Sequence, residues 1–249
     1  MNAVEVCSIC GGSGWKIVER EGISGAEKCE CANAGRAQRN EERANIPLLY
    51  RNASFDNFDR RQDNPVTRGD LGQAMSLVRG YVREFPTVPQ PGLLFIGAPG
   101  TGKTHLAVAA LRGLIAKGFE GIFFDFQTLL NHIRSGYDQA SGTMDREAYR
   151  TALDAEILVL DDLGAHRITD WVEDTVTSII THRCNSRKAT IATTNLDKAE
   201  RAFRSPTEQA IYSKYSLAER IGMRAYSRLF EMCKVIEMPE VEDYRQKRR

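Results

Sequence analysis

Gly97-Ala98-Pro99-Gly100-Thr101-Gly102-Lys103-Thr104 follows an apolar run, Leu93-Leu94-Phe95-Ile96, and opens onto an alanine- and leucine-rich segment over residues 105–116. The order is strand, glycine loop, helix, and G-x-x-x-x-G-K-T in that order is the P-loop pattern. Glycines let the backbone turn its N–H groups inward around phosphate oxygens, and the helix N-terminus adds partial positive charge there. Lys103 can reach the β- and γ-phosphates, and the Thr104 hydroxyl can ligate magnesium. The phosphate-binding set is therefore Gly97, Ala98, Pro99, Gly100, Thr101, Gly102, Lys103, Thr104 and His105. A glycine turn that merely carries a lysine would lack the flanking strand and helix. The residues predict a nucleoside triphosphate, ATP in the first instance, bound with Mg2+.

Downstream, Ile157-Leu158-Val159-Leu160-Asp161-Asp162 reads as a strand buried on both faces of a parallel sheet. Its two acids stand at the C-terminal end, where ligands bind in open α/β sheets. This is a Walker B element. Asp161 is expected to hold magnesium, through water, and Asp162 to orient or deprotonate the attacking water. A strand over residues 189–195 ends on Asn195, placed to touch the γ-phosphate or that water, although asparagine is also a common turn residue. Two more strands are expected, over residues 122–126 and 235–238. Helices are expected over residues 71–85 and 171–185, and a later one carries Arg220, Arg224 and Arg228. Phe55 and Phe58 either plug a core edge or face the adenine.

Cysteines concentrate at the front, Cys7, Cys10, Cys29 and Cys31, in the spacing C-x2-C-x18-C-x-C. Four thiolates would make a closed tetrahedral zinc site, and so short a segment needs a metal in place of a core. Free thiols and an iron–sulfur cluster are the alternatives. Cys7-Ser8-Ile9-Cys10-Gly11-Gly12-Ser13-Gly14 resembles the zinc turn of the DnaJ chaperone family. The polar, arginine-bearing stretch over residues 32–45 reads as an exposed helix or linker. It divides the chain into a cysteine element (residues 1–45) and an ATPase domain (residues 46–249). Cys184 and Cys233 stand apart and are expected to pack in the interior.

The chain has 249 residues, 42% hydrophobic and 27% charged, with a net charge of +1, as suits a soluble α/β protein. No apolar run approaches the roughly 18–20 residues that span a bilayer. The first six residues do not read as a signal peptide, so a cytoplasmic protein without membrane contact is expected. The near-neutral charge neither requires nor excludes nucleic acid. Arg134 and the basic tail, Tyr244 to Arg249, are DNA-contact candidates.

P-loop, paired aspartates, strand-end asparagine and arginine helix together look like an AAA+ ATPase. Gly97 to Ala107, Leu158 to Gly164 and Thr193-Thr194-Asn195-Leu196 are similar to the DnaC/IstB group, as are Tyr50 to Phe55 and Ser227-Arg228-Leu229. That group contains replicative helicase loaders and the ATP-binding helpers of certain transposases. The resemblance implies a five-stranded parallel sheet with helices on both faces and homo-oligomers formed with ATP; little sequence follows the fifth expected strand, so the usual C-terminal helical lid domain is not expected. It implies a hexameric DnaB-like helicase and single-stranded DNA as partners, with IstB-like transposition help as the alternative. Loaders carry an N-terminal domain that grips the helicase and in some members binds zinc, whereas the transposase helpers lack such cysteines. Lys103, Asp162 and Asn195 become catalytic, and Arg224 and Arg228 fall in the arginine-finger region. Asp162 stands where most AAA+ enzymes carry glutamate, which implies slow, switch-like hydrolysis.

Overall fold

The computed structural model describes residues 7–11, 13–20, 23–60, 64–135, 144–165, 169–197, 216–241 and 244. The cysteine-bearing front contains an antiparallel hairpin, β1 (Trp15–Arg20) and β2 (Ile23–Lys28), paired from Trp15↔Lys28 to Arg20↔Ile23. This hairpin was not legible as strands, because its residues alternate weakly. Helix α1 follows over Glu30–Arg43.

Of the exposed helix or linker expected over residues 32–45, the structure has the helix, but with one side packed rather than exposed. Asn40 Nδ2 donates to the Phe119 carbonyl at 3.1 Å, and Arg112 Nε donates to Glu41 Oε1 at 2.7 Å. Ala44 is fully buried, and its carbonyl accepts from Phe123 N at 2.8 Å. Three arginines and few large apolar residues make α1 look solvated, yet its small residues are what allow so close an approach.

After a 3-10 turn at Leu48–Tyr50 comes α2 (Pro65–Glu84), with Asn64 as N-cap accepting from Val66 N and Pro65 at the first helical position. Helical spacing puts Leu71, Met75, Val78 and Val82 on one apolar face; the first three are buried and Val82 is half-buried. Then follow β3 (Gly92–Ile96), α3 (Lys103–Ala116), β4 (Gly121–Asp125), α4 (Phe126–Ser135) and α5 (Met144–Asp154). The chain continues through β5 (Ile157–Asp161), α6 (Asp170–Asn185) and β6 (Ala189–Thr194). It closes with α7 (Leu217–Ile221), α8 (Met223–Met232) and β7 (Cys233–Glu237). Helix α5 was concealed in a polar stretch, its buried side resting on the small residue Ala152.

The five later strands form one parallel sheet in the order β4-β5-β6-β3-β7. Alternation along each strand divides the core into two layers. Leu93, Phe95, Phe123, Val159 and Ile191 face α2 and α3, whereas Leu94, Ile96, Phe124, Leu160 and Ala192 face α4, α6 and α8. Because both faces are covered, β3 and β6 are buried along their full length. The registers set Asp125 opposite Asp161 and Ile96 opposite Thr194, so their C-terminal ends lie along one edge of the sheet.

The arginine helix is two helices. Gly222 sits at φ 82 and ψ 145 between α7 and α8, a conformation only glycine adopts readily. A Cβ there would lie 2.4 Å from Glu173 Oε1. Arg220 thus belongs to α7, and Arg224 and Arg228 belong to α8. Among the described residues no helix follows β7. The polar stretch at 198–215 and most of the basic tail lie outside the described residues.

Candidate functional site

The glycine loop spans the gap between β3 and α3 at the C-terminal edge of the sheet. Gly102 caps α3 at φ 92, and a Cβ on it would stand 2.6 Å from the Phe58 ring. Glycine is therefore required twice, for the left-handed turn and for the aromatic packed on it. Thr101 Oγ1 donates to the Ala98 carbonyl at 2.9 Å and stiffens the loop. Lys103 is buried, and its ammonium donates to the Gly97 and Ala98 carbonyls at 2.9 and 2.8 Å.

Pro99, Gly100, Thr101, Gly102, Lys103, Thr104 and His105 form one wall of a cleft of about 610 Å³, within the size range of small-molecule sites. Asp162 and Asn195 also reach it, and Tyr50, Asn52, Ala53 and Phe58 line the opposite side. Both phenylalanines pack at the core edge, and Phe58 also lines the cleft. Phe55 packs at the core edge beneath the Arg79 guanidinium, 5.4 Å from its ring centroid, while Phe58 faces the cleft. Tyr244 lines the cleft too, its backbone N–H 3.5 Å from the Gly100 carbonyl. Reading the tail as a basic run alone concealed that residue.

Behind the loop, Thr104 Oγ1 donates to Asp161 Oδ1 at 2.8 Å. A hydroxyl and a carboxylate at that separation are hard oxygen donors of the kind that suit magnesium. Burial pushes the Asp161 carboxyl up from its ordinary value, the Thr193 and Thr104 hydroxyls oppose this, and the charges of Asp162 and Asp125 add to the rise. A divalent cation would offset that cost. Asp162 stands one residue past β5 at φ 56, held there by hydrogen bonds to Thr193 Oγ1 and from Asn195 Nδ2. The Asn195 bond is 2.8 Å long and ends on Asp162 Oδ1. Left-handed backbone at a non-glycine costs about 1–2 kcal/mol, which these bonds offset.

His105 accompanies the loop from the first turn of α3. Its Nε2 lies 2.8 Å from the Ser54 carbonyl, and its ring is 5.5 Å from that of Phe58. Burial pulls its pKa down, with the Ser54 bond acting the other way, so the neutral imidazole donates to the carbonyl.

Arg224 and Arg228 are exposed on α8, and neither lines this chain's own cleft. Arg228 Nη1 donates to Glu231 Oε2 at 2.7 Å across an i,i+3 step. Arg134 is exposed in the last turn of α4. Cys233 is buried as expected, and Cys184 is half-buried.

At the front, Cys7, Cys10 and Cys29 bring their sulfurs within 4.8 Å of one another. Cys7 and Cys29 Sγ are 3.8 Å apart, and zinc–sulfur bonds of about 2.3 Å give a tetrahedron with edges of about 3.8 Å. The Gly14 N–H points at Cys10 Sγ from 3.4 Å, as in a turn that stabilises thiolate. Soft thiolates in this arrangement fit zinc. Cys31 falls on α1, and its side chain lies outside the described residues.

A P-loop between the first core strand and its helix, with paired acids at the end of β5 and a polar tip after β6, defines an AAA+-type nucleotide-binding fold on the observed strand order. The chain belongs to the IstB-like ATP binding protein family, whose model matches residues 32–249. It is similar to the replicative helicase loader DnaC of Escherichia coli strain K12, 26% identical over 167 residues, 67% of this chain and 65% of that protein. The chain thus spans somewhat less than two thirds of the length of the curated loaders it matches. Its fold also matches a crystal structure of the DnaC helicase loader, 34% identical, with a TM-score of 0.60 over 78% of this chain and 100% of that one. The structure of DnaI shares the fold at 22% identity and a TM-score of 0.58, over 82% of this chain and 98% of the other. No helix among the described residues is long and apolar enough to cross a membrane.

Proposed function

We propose that this chain is an ATP-driven loader that places a hexameric DnaB-like replicative helicase on single-stranded DNA. The observation that carries the reading is the match to the DnaC helicase loader, at an identity beyond what likeness of fold alone gives. The cleft supplies the ATP site. Lys103 turns from the loop carbonyls to the β- and γ-phosphates, and loop N–H groups hold their oxygens. Magnesium held by Thr104 and, through water, by Asp161 would neutralise phosphate charge. Asp162 orients or deprotonates the attacking water, with Asn195 fixing one of its oxygens. Aspartate is one methylene shorter than glutamate, so hydrolysis is slow and acts as a switch.

Arg224 and Arg228 reach the γ-phosphate of a neighbouring subunit, so hydrolysis follows homo-oligomer assembly on DNA. Residues 1–45 form the helicase-facing element and residues 46–249 the ATPase core, with the C-terminal half of α1 as the joint. Zinc on Cys7, Cys10, Cys29 and Cys31 holds that element together. Its hairpin exposes Trp15 and Ile17, two residues apart and so on one face, as an apolar surface for the helicase. The compartment that fits this task is the cytoplasm.

The second reading, an IstB-like transposition helper, is favoured by the family description itself. The cysteine cluster separates the two, since the helper reading leaves it without a task. The test is capture of the host's replicative helicase by the full chain, with and without ATP. A stoichiometric complex that Trp15→Ala with Ile17→Ala weakens is expected. Failure to bind helicase in either condition, with ATP binding intact, would sink the loader reading.

A further inference from the structure

Two threonines, Thr193 and Thr194, close β6, and Asn195 follows them. A hydroxyl in a strand covered on both faces needs hydrogen-bond partners, and Thr193 is fully buried. Its partners are Asp161, the last residue of β5, and Asp162, the residue after it. Thr193 Oγ1 lies 3.0 Å from the Asp162 backbone N and 2.6 Å from Asp161 Oδ1. An amide N–H can only donate, so the hydroxyl accepts from Asp162 and directs its own proton at Asp161. One oxygen thus ties both carboxylate residues to the adjacent strand. The next residues continue the link, because Leu163 N donates to the Thr193 carbonyl at 2.8 Å and Thr194 Oγ1 donates to the Leu163 carbonyl at 2.9 Å.

We propose that Thr193 is a positioning residue of the nucleotide site, resting on the ATP and magnesium reading above. Its hydroxyl shares Asp161 Oδ1 with Thr104, whose hydroxyl also donates there. With both protons on that oxygen, the carboxylate is fixed in rotation and Oδ2 is left for a cation or its water. The same hydroxyl holds the Asp162 amide, and with it the left-handed turn that presents the Asp162 carboxylate to the cleft. Removing it loosens cation binding and the placement of the attacking water together, while the glycine loop keeps its hold on the phosphates.

The test uses Thr193→Val, which keeps the shape and removes the hydroxyl, in the full chain. A fluorescent ATP analogue is titrated in EDTA and then against Mg2+, and turnover is measured alongside. Groups that orient first ligands typically affect metal affinity or activity by about 10–100-fold. The Mg2+ concentration for half-maximal effect should therefore rise about tenfold or more, and turnover should fall similarly. Affinity in EDTA should stay within about twofold, since the phosphate-binding loop is untouched. Thr193→Ser should restore the Mg2+ response.

An unchanged Mg2+ response in the valine variant overturns the proposal, as does an equal loss of affinity in EDTA. Thr193→Ala set against Thr193→Ser isolates the hydroxyl if valine is not accommodated. Equal Mg2+ responses in that pair also overturn it. So does a chain that folds with serine but with neither alanine nor valine, because the hydroxyl then serves folding alone. If the unsubstituted chain shows no Mg2+-dependent nucleotide affinity, it is the ATP reading that fails, and this is seen before any variant is compared.

Discussion

At the scale of single residues, the proposed function separates holding the nucleotide from cleaving it. On that proposal Lys103 supplies the cation facing the phosphates, and Asp162 supplies charge beside the water. Lys103→Ala should reduce ATP affinity to near baseline. Asp162→Asn should keep affinity within about twofold and lower turnover by a factor of about 100 or more, the range of a general base. Equilibrium binding and steady-state phosphate release check both, and unchanged turnover in Asp162→Asn would refute the assignment.

His105 gives a second prediction at this scale. Its folded pKa lies below the ordinary histidine value, so the unfolded chain binds the proton more readily. The stability it contributes is complete above about pH 6.5, the unfolded value, and is lost as pH falls through the folded value. Melting temperature in the absence of nucleotide should drop across that window. His105→Gln, which can still donate to the Ser54 carbonyl, should flatten the drop. Identical slopes in the two proteins would show that other groups set it.

At the scale of elements, a buried arginine decides how the second layer is joined. Arg183 on α6 is fully buried, and its guanidinium caps the end of α5 through the carbonyls of Ala152, Leu153 and Ala155, at 3.0, 3.3 and 2.9 Å. It also reaches Thr190 Oγ1 at 2.9 Å and the Ala189 carbonyl at 2.5 Å, so α5, α6 and β6 meet on one side chain. Burial pulls its pKa down to about 10, which leaves it charged at neutral pH. Arg183→Ala would leave several acceptors without donors, at about 1–3 kcal/mol each before any relaxation. A loss of about 3 kcal/mol or more in urea unfolding is expected, and a change within about 0.5 kcal/mol, as at an ordinary surface site, would contradict it. The α7–α8 break at Gly222 has a similar logic, since it sets α8 at its own angle against α6.

At the scale of the whole molecule, Arg224 and Arg228 do not line this chain's own cleft, so the finger role proposed for them requires a second copy. Arg224→Ala protein should bind ATP normally and hydrolyse it poorly. Mixed with Lys103→Ala protein, which lacks the phosphate cation but keeps its arginines, it should regain part of the activity at mixed interfaces. No recovery at any ratio, with assembly verified, would leave Arg224 a surface charge. The Arg228–Glu231 pair already engages the second arginine within the chain, so Arg228→Ala gives the smaller effect if that pair persists on assembly. A separate measurement concerns the front of the chain. About one zinc per chain is expected by elemental analysis in reducing buffer. Chelation should loosen the hairpin, read by protection of its amides, and leave ATP affinity intact; a metal-free protein with the same protection would end the zinc assignment.

The sequence by itself determined the chemistry of the nucleotide site, since a P-loop is local: spacing, glycines and a flanking strand and helix suffice to aim backbone N–H groups at phosphates. The buried β5 run with its two acids was legible for the same reason. Tertiary structure alone decided which distant residues join them. Thr193 meets Asp161 and Asp162 only because parallel register sets β6 beside β5, although two threonines in a fully covered strand were a signal that something buried must accept them. Phe58 and Tyr244 reach the cleft through packing on Gly102 and the loop backbone, contacts that no periodicity encodes. The helix break followed from one glycine backed by Glu173, and the docking of α1 from small residues that composition reads as exposed. Local spacing fixes which groups a loop can present, whereas long-range pairing and close packing fix what stands opposite them.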